Sequence, residues 1–143
     1  MIGGGNLCNI DYIMSLIDWH KSSEDQKKGI ELAKMVKSIN VFIQPIDRIN
    51  NKNVWDNCAK ILSARNDEEL EPYLIQLMEW LQDLTWPGAI CILNRMRNYT
   101  NRSSFDFAFR VCIRRAKALD DVVWLNNLNE IFGYTIVETL DEN

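Results

Sequence analysis

A single histidine, His20, three prolines and six glycines are spread over 143 residues, and each scarcity excludes something. One imidazole leaves little for acid–base or metal chemistry built on histidine, and His20, near the expected end of a first helix, reads as a capping or surface group. So few glycines and prolines exclude a collagen, a flexible linker array and a turn-rich β-barrel. No apolar run is longer than Ala89–Leu93, far short of the roughly 20 residues that cross a bilayer, so no membrane contact is expected. Cys8, Cys58, Cys91 and Cys112 lie 50, 33 and 21 residues apart, without a C-x-x-C step or a Cys/His pair. That spacing suits neither zinc nor a disulfide scaffold. Reduced thiols packed as small apolar groups are expected, with no metal and no cofactor. There is no nucleophile elbow and no Walker glycine loop. The first residues contain neither a basic leader nor an apolar stretch of signal-peptide length, which makes the cytoplasm the expected location.

What is present is an ordinary globular composition, 47% apolar and 25% charged at 16.7 kDa. Roughly two thirds of the surface of such a chain can be buried, so one helical domain over residues 1–143 is expected, with 1–8 and 134–143 flexible or loosely docked. The net charge of −4 hides an uneven distribution. Residues 66–83 carry six acids and no base, residues 84–119 seven bases and one acid, and residues 120–143 six acids and no base. Such blocks pair with one another across neighbouring helices or face a partner of opposite charge.

Nearly every segment has helical periodicity. Ile10, Ile13, Met14 and Ile17 fall on one face after the cap Asn9, predicting a helix near 9–20. Ser23-Glu24-Asp25-Gln26 has capping-box spacing for a second helix near 23–38, in which Gly29 permits a close helix contact. Asn53 is the expected cap of a third. Asp67–Leu70 reads as a capped single turn, and Pro72 and Pro87 each suit the first turn of a new helix. Leu74, Leu77, Met78 and Leu81 form one stripe, Ile90, Leu93 and Met96 the next. Ser103 or Ser104 is the expected cap of a helix carrying Phe109, Cys112, Ile113, Ala116 and Leu119. Asp120 and Asp121 offer caps for a last helix with Val122, Leu125 and Leu128 inside and Gly133 as its stop. Asp47–Asn53 is the most loop-like interior stretch, whereas the connection between the Leu74–Leu81 helix and the one after Pro87 is very short, and short connections make consecutive helices antiparallel.

A weak repeat underlies this pattern. Leu32-Ala-Lys-Met-Val, Cys58-Ala-Lys-Ile-Leu, Gly88-Ala-Ile-Cys-Ile and Arg115-Ala-Lys-Ala-Leu begin 26, 30 and 27 residues apart, a period of one helix pair. The expected fold is therefore all-α, a right-handed stack of antiparallel helix pairs, HEAT-like or α-solenoid-like, with about seven or eight helices. The segment Glu79-Trp80-Leu81-Gln82-Asp83-Leu84-Thr85-Trp86-Pro87-Gly88-Ala89, with Asp67–Pro72 and Asn53-Val54-Trp55 before it and Val123-Trp124-Leu125 after it, resembles a bacterial family of small helical, HEAT-like proteins of unknown function. The resemblance covers roughly residues 53–128. It implies fold rather than activity, and carries over no catalytic residue.

No catalytic group is singled out. The candidate binding residues are Glu79, Asp83, Trp86, Arg110, Arg114 and Arg115. Glu79 and Asp83 stand one helical turn apart, a spacing at which two carboxylates can share a proton or a cation. Their plainer reading is a solvated acidic face. Trp86 before Pro87 reads as helix-junction packing, with Asp83 accepting backbone N–H bonds nearby, and alternatively as an aromatic anchor for a partner. Arg110, Arg114 and Arg115 belong to a basic segment, 95–117, that can pair internally, meet a protein or contact phosphates. The function expected is non-enzymatic binding of another protein, in one concrete form an immunity protein covering the active face of a bacterial toxin. The alternative is nucleic-acid binding through residues 95–117.

Overall fold

A computed structural model describes residues 9–45 and 51–142, with side chains through residue 133. Residues 1–8, 46–50 and 143 lie outside the described residues, and with them most of the loop expected at Asp47–Asn53. The order is α1 (Ile10–Leu16), α2 (Ser23–Ala33), a 3-10 turn at Ile39–Phe42, a second at Lys52–Val54 leading into α3 (Trp55–Ser63), the single turn α4 (Asp67–Leu70), a 3-10 turn at Glu71–Tyr73, α5 (Leu74–Glu79), a 3-10 turn at Trp80–Gln82, α6 (Ala89–Arg97), α7 (Arg102–Ala118) and α8 (Val122–Glu142). The described residues are all-helical, with no strand, and none of their helices is long and apolar enough to cross a membrane.

Short polar side chains set the helix starts. Asn9 accepts the Tyr12 N–H at 3.0 Å and so caps α1. At α2 the cap is Ser22, not the expected Ser23: its hydroxyl accepts the Asp25 N–H at 3.1 Å. Gln26 then closes no capping box; its amide donates to the Lys21 carbonyl at 2.8 Å. The box forms instead at α4, where Asn66 accepts the Glu69 N–H at 2.8 Å and the Glu69 carboxylate accepts the Asn66 N–H at 3.2 Å. Asn53 does not cap α3. The 3-10 turn occupies that position, and Asn53 donates to Asp18 Oδ2 at 2.8 Å while its carbonyl accepts the Trp19 N–H at 2.9 Å. Asn101, rather than Ser103 or Ser104, caps α7. Asp121 caps α8 by accepting the Trp124 N–H at 2.9 Å. Asp120 closes α7 instead: at φ 55° it takes the left-handed position of a Schellman motif, with its N–H on Lys117 O and the Asp121 N–H on Ala116 O.

Three helices end elsewhere than their periodicity predicts. α1 stops at Leu16, because Asp18 captures the His20 N–H at 2.8 Å and Asn53 takes that of Trp19. α2 stops at Ala33, because Arg65 Nη2 donates to the Ala33 and Val36 carbonyls at 2.8 and 2.7 Å, in competition with a continued helical ladder. Gly133 does not stop α8, whose backbone continues to Glu142. A glycine ends a helix by adopting the left-handed conformation, and among the described glycines only Gly88 does so. The side chains of the expected loose tail, residues 134–143, lie outside the described residues.

The helices form one apolar core. α1 and α2 pack closely, α2 leans on α3 and α7 on α8, and helices not adjacent in the chain also lie together: α3 with α6, α5 with α7, and α6 with α8. Side-chain bonds show that the first two of these pairs run parallel. Cys91 meets Ser63 and Arg95 meets the Arg65 carbonyl, while Cys112 meets Ile75 O and Arg115 meets Glu79. Close approach relies on small residues. A Cβ on Gly29 would lie 2.6 Å from Ile17 Cγ2 and 2.9 Å from Leu16 Cβ, which bears out the close contact expected there. The four repeat alanines, Ala33, Ala59, Ala89 and Ala116, are all fully buried.

Three stripes are shifted from expectation. α6 buries Ala89, Ile92, Leu93 and Met96 and leaves Ile90 52% exposed. α7 buries Phe105, Ala108, Cys112 and Ala116, with Leu119 outside, and α8 buries Trp124, Leu128 and Ile131 with Val122 outside. Each stripe keeps its three- and four-residue spacing, and a shift of one residue turns a side chain by about 100°.

Candidate functional site

The tryptophan-proline element is a packed junction. Trp80 is fully buried and its indole N–H donates to the Pro87 carbonyl at 3.0 Å. Trp55 lies edge-on to both Trp80 and Trp86, with centroids 6.2 and 5.6 Å apart, a favourable aromatic geometry. Pro87 does not open α6. Gly88 follows it at φ 81°, and a Cβ there would sit 2.8 Å from both Ala59 Cβ and the Trp55 carbonyl. Trp86 is half-buried against Trp55. Asp83 accepts the Thr85 N–H at 2.8 Å and its hydroxyl at 2.6 Å, bonds that hold its carboxyl below the usual range.

Glu79 and Asp83 do not converge. The 3-10 turn Trp80–Gln82 separates them, Asp83 itself is extended, and Glu79 accepts from Arg115 Nη1 at 2.9 Å. A shared proton or cation has no geometry here. Among the described residues, no three His, Cys, Asp or Glu side chains are placed to hold a metal ion.

The acidic and basic blocks meet inside the molecule. Asp67 accepts from Arg95 Nη2 at 2.6 Å and from the Thr100 N–H and hydroxyl at 2.8 and 2.7 Å. Burial raises the pKa of its carboxyl, but the bonds from Thr100 and Arg95 outweigh burial and hold it at about 2. Arg97 donates to the Glu130 carbonyl at 2.8 Å, and Arg102 lies 3.5 Å from Asp106. Periodicity pointed to neither this Asp67 clamp nor the buried Asn57, which donates to Ile17 O at 2.8 Å and Gln26 Oε1 at 2.9 Å.

The thiols are free, as expected, at the three described positions. Burial pushes the Cys58 and Cys112 thiols up to about 12. His20 sits in the turn after α1, exposed, with Nδ1 2.9 Å from Asp18 Oδ1.

Among the candidate residues, what the pairing leaves over is two arginines on one face of α7. Arg110 and Arg114 are exposed and make no ion pair or side-chain hydrogen bond with a described residue. Phe107, on the same helix, is 67% exposed. Beside it a groove of about 360 Å³ runs between α7 and the start of α5, lined by Glu71, Pro72, Leu74, Ile75, Ser104, Phe107 and Ala108. Of the six candidate residues, the structure joins Glu79 to Arg115, places Trp86 and Asp83 in the junction, and sets Arg110 and Arg114 side by side on the surface. Phe107 was not singled out by sequence, because an aromatic at helical spacing reads as core.

A family model described as a domain of unknown function (DUF5071) matches residues 49–141. Nothing among curated proteins or solved structures matches the chain.

Proposed function

We propose, for a chain that belongs to the DUF5071 family of domains of unknown function, a non-enzymatic role in binding another protein, with the outer face of α7 as the contact surface. The observation that carries the reading is the leftover chemistry of that face. The other candidate charges are satisfied within the chain, whereas Arg110 and Arg114 are not, and Phe107 stands exposed between them and an apolar groove. Exposed aromatics and arginines are the residue types over-represented where proteins bind one another. A HEAT-like, right-handed stack of helix pairs is the architecture we infer, supported by the parallel packing of α3 with α6 and of α5 with α7, and such stacks present long binding faces.

A finer form of this reading is an immunity protein that covers the active face of a toxin. The chain's small size and acidic balance motivate it. The nucleic-acid reading keeps one favourable observation, the two unpaired arginines. The test is recovery of partners from the native cell on the tagged chain, with and without nuclease. The proposal expects proteins that stay bound after nuclease and are lost from the Arg110→Glu/Arg114→Glu variant. Material lost on nuclease treatment would favour phosphate binding instead. A cognate toxin among the recovered proteins, inhibited by the chain, would establish the finer form; recovery of unrelated housekeeping proteins alone would remove it.

A further inference from the structure

We infer that the α7 face takes an acidic amphipathic segment of the partner protein, with an apolar side chain seated in the groove against Phe107, Pro72 and Ile75 and carboxylates reaching Arg110 and Arg114. This rests on the protein-binding reading above and names the chemistry of the partner.

Helical geometry places these groups together. At about 100° per residue, Arg114 lies within about 20° of Phe107 round α7 and two turns further on, while Arg110 lies one turn on and about 60° round. The surface is thus apolar at one end and cationic along the next two turns, over about 10 Å. That is the footprint of a short amphipathic helix laid in a groove, where apolar anchors recur at helical spacing and charges on the flanks fix its register.

Charge complementarity calls for an anionic partner, and the apolar groove beside the cations favours an acidic peptide over a phosphate chain. Of the neighbouring arginines, Arg115 pairs with Glu79, Arg95 with Asp67 and, at 3.5 Å, Arg102 with Asp106, while Lys117 beyond Arg114 is exposed and pairs with no described residue. Two free guanidinium groups and the Lys117 ammonium are still few for a phosphate backbone, which binds through many such contacts. An apolar wall of Pro72, Ile75 and Phe107 gives phosphates nothing, and gives an aliphatic side chain a seat. Guanidinium groups bind carboxylates by two parallel N–H bonds, which suits one Glu or Asp per arginine.

The probe is a synthetic amphipathic peptide of Glu, Ala and Leu with leucines three and four residues apart, titrated into the full-length, nitrogen-15-labelled chain. Amide shifts are expected at residues 107–114 and 72–75. Added salt should weaken binding, and a Lys-for-Glu peptide should not bind. Arg110→Glu/Arg114→Glu should abolish the shifts, and Phe107→Ala should weaken binding about tenfold. All three side chains are exposed, so unchanged melting curves will show that the variants fold.

Shifts confined to other helices, or no shift at all, would overturn this partner chemistry while the protein-binding reading stood. Equal binding of the Lys-for-Glu peptide would do the same. Shifts at residues 107–114 on diluting or concentrating the chain alone would name a second copy as the occupant, against this inference. A single-stranded oligonucleotide that displaces the peptide, and binds the same residues more tightly, would overturn both readings.

Discussion

Replacing Asp67 by asparagine tests the charge pairing from which the free surface is deduced. Asp67 opens α4, is 21% exposed, and joins that turn to Arg95 of α6 and to Thr100 beyond it. Its carboxyl moves from 3.8 to about 2 on folding. At ~1.4 kcal/mol per unit, the shift corresponds to about 2 kcal/mol favouring the folded chain. The folded pKa is the lower one, so this stability is fully present above 3.8 and is lost as the pH falls through about 2. The substituted amide keeps the shape but not the charge, and leaves the guanidinium of Arg95, 13% exposed, without its carboxylate. Such removal costs more than the pair itself contributes. Urea unfolding should therefore give Asp67→Asn a loss of about 2 kcal/mol at neutral pH, shrinking toward zero as the pH approaches 2. A neutral-pH loss below ~0.5 kcal/mol, or a loss that stays constant through that window, would refute the pairing as described.

Further outcomes follow from single residues. Gly88→Ala puts a Cβ 2.8 Å from the Trp55 carbonyl at a left-handed backbone position, and thermal melts should show a loss of about 3 kcal/mol. Gly29→Ala should cost about 1–3 kcal/mol by the same assay, since the contact with Ile17 outweighs alanine's better helix propensity. Arg110→Ala and Arg114→Ala, which break no bond to a described residue, should change stability by less than ~0.5 kcal/mol. In mapped alkylation of the folded chain at pH 8, Cys58 and Cys112, buried and with thiols pushed up to about 12, should stay unlabelled until the chain unfolds. Rapid native labelling of either would contradict their burial.

Much of the fold was legible because helical periodicity and caps are local properties. Asn9, Asp121, the α4 turn and the stripe from Leu74 to Leu81 all stand as the sequence suggested. The repeat of four alanines correctly marked buried positions, where helices approach too closely for a larger side chain. The misplaced boundaries have long-range causes. Arg65, some thirty residues downstream, takes the carbonyls that would have extended α2, and Asn53 takes the N–H that would have extended α1. The stripes of α6 and α8 slipped because the cap fixes where a helix begins but not which face meets its neighbour. Charge blocks were visible in sequence; which arginine found which carboxylate was not. That distinction defines the candidate surface: seven bases in 84–119 looked alike, and only packing separates Arg95 and Arg115, held by Asp67 and Glu79, from Arg110 and Arg114.

The central claim is that the outer face of α7 meets another protein. The most direct measurement is photo-crosslinking in the native cell with a benzophenone side chain at position 107 and, as a control, at position 31 on the exposed side of α2. The account predicts a discrete protein adduct from position 107, lost when Arg110→Glu and Arg114→Glu are added, and none from position 31. Equal adducts from both positions, an adduct indifferent to the two arginines, or crosslinks to nucleic acid alone would contradict it.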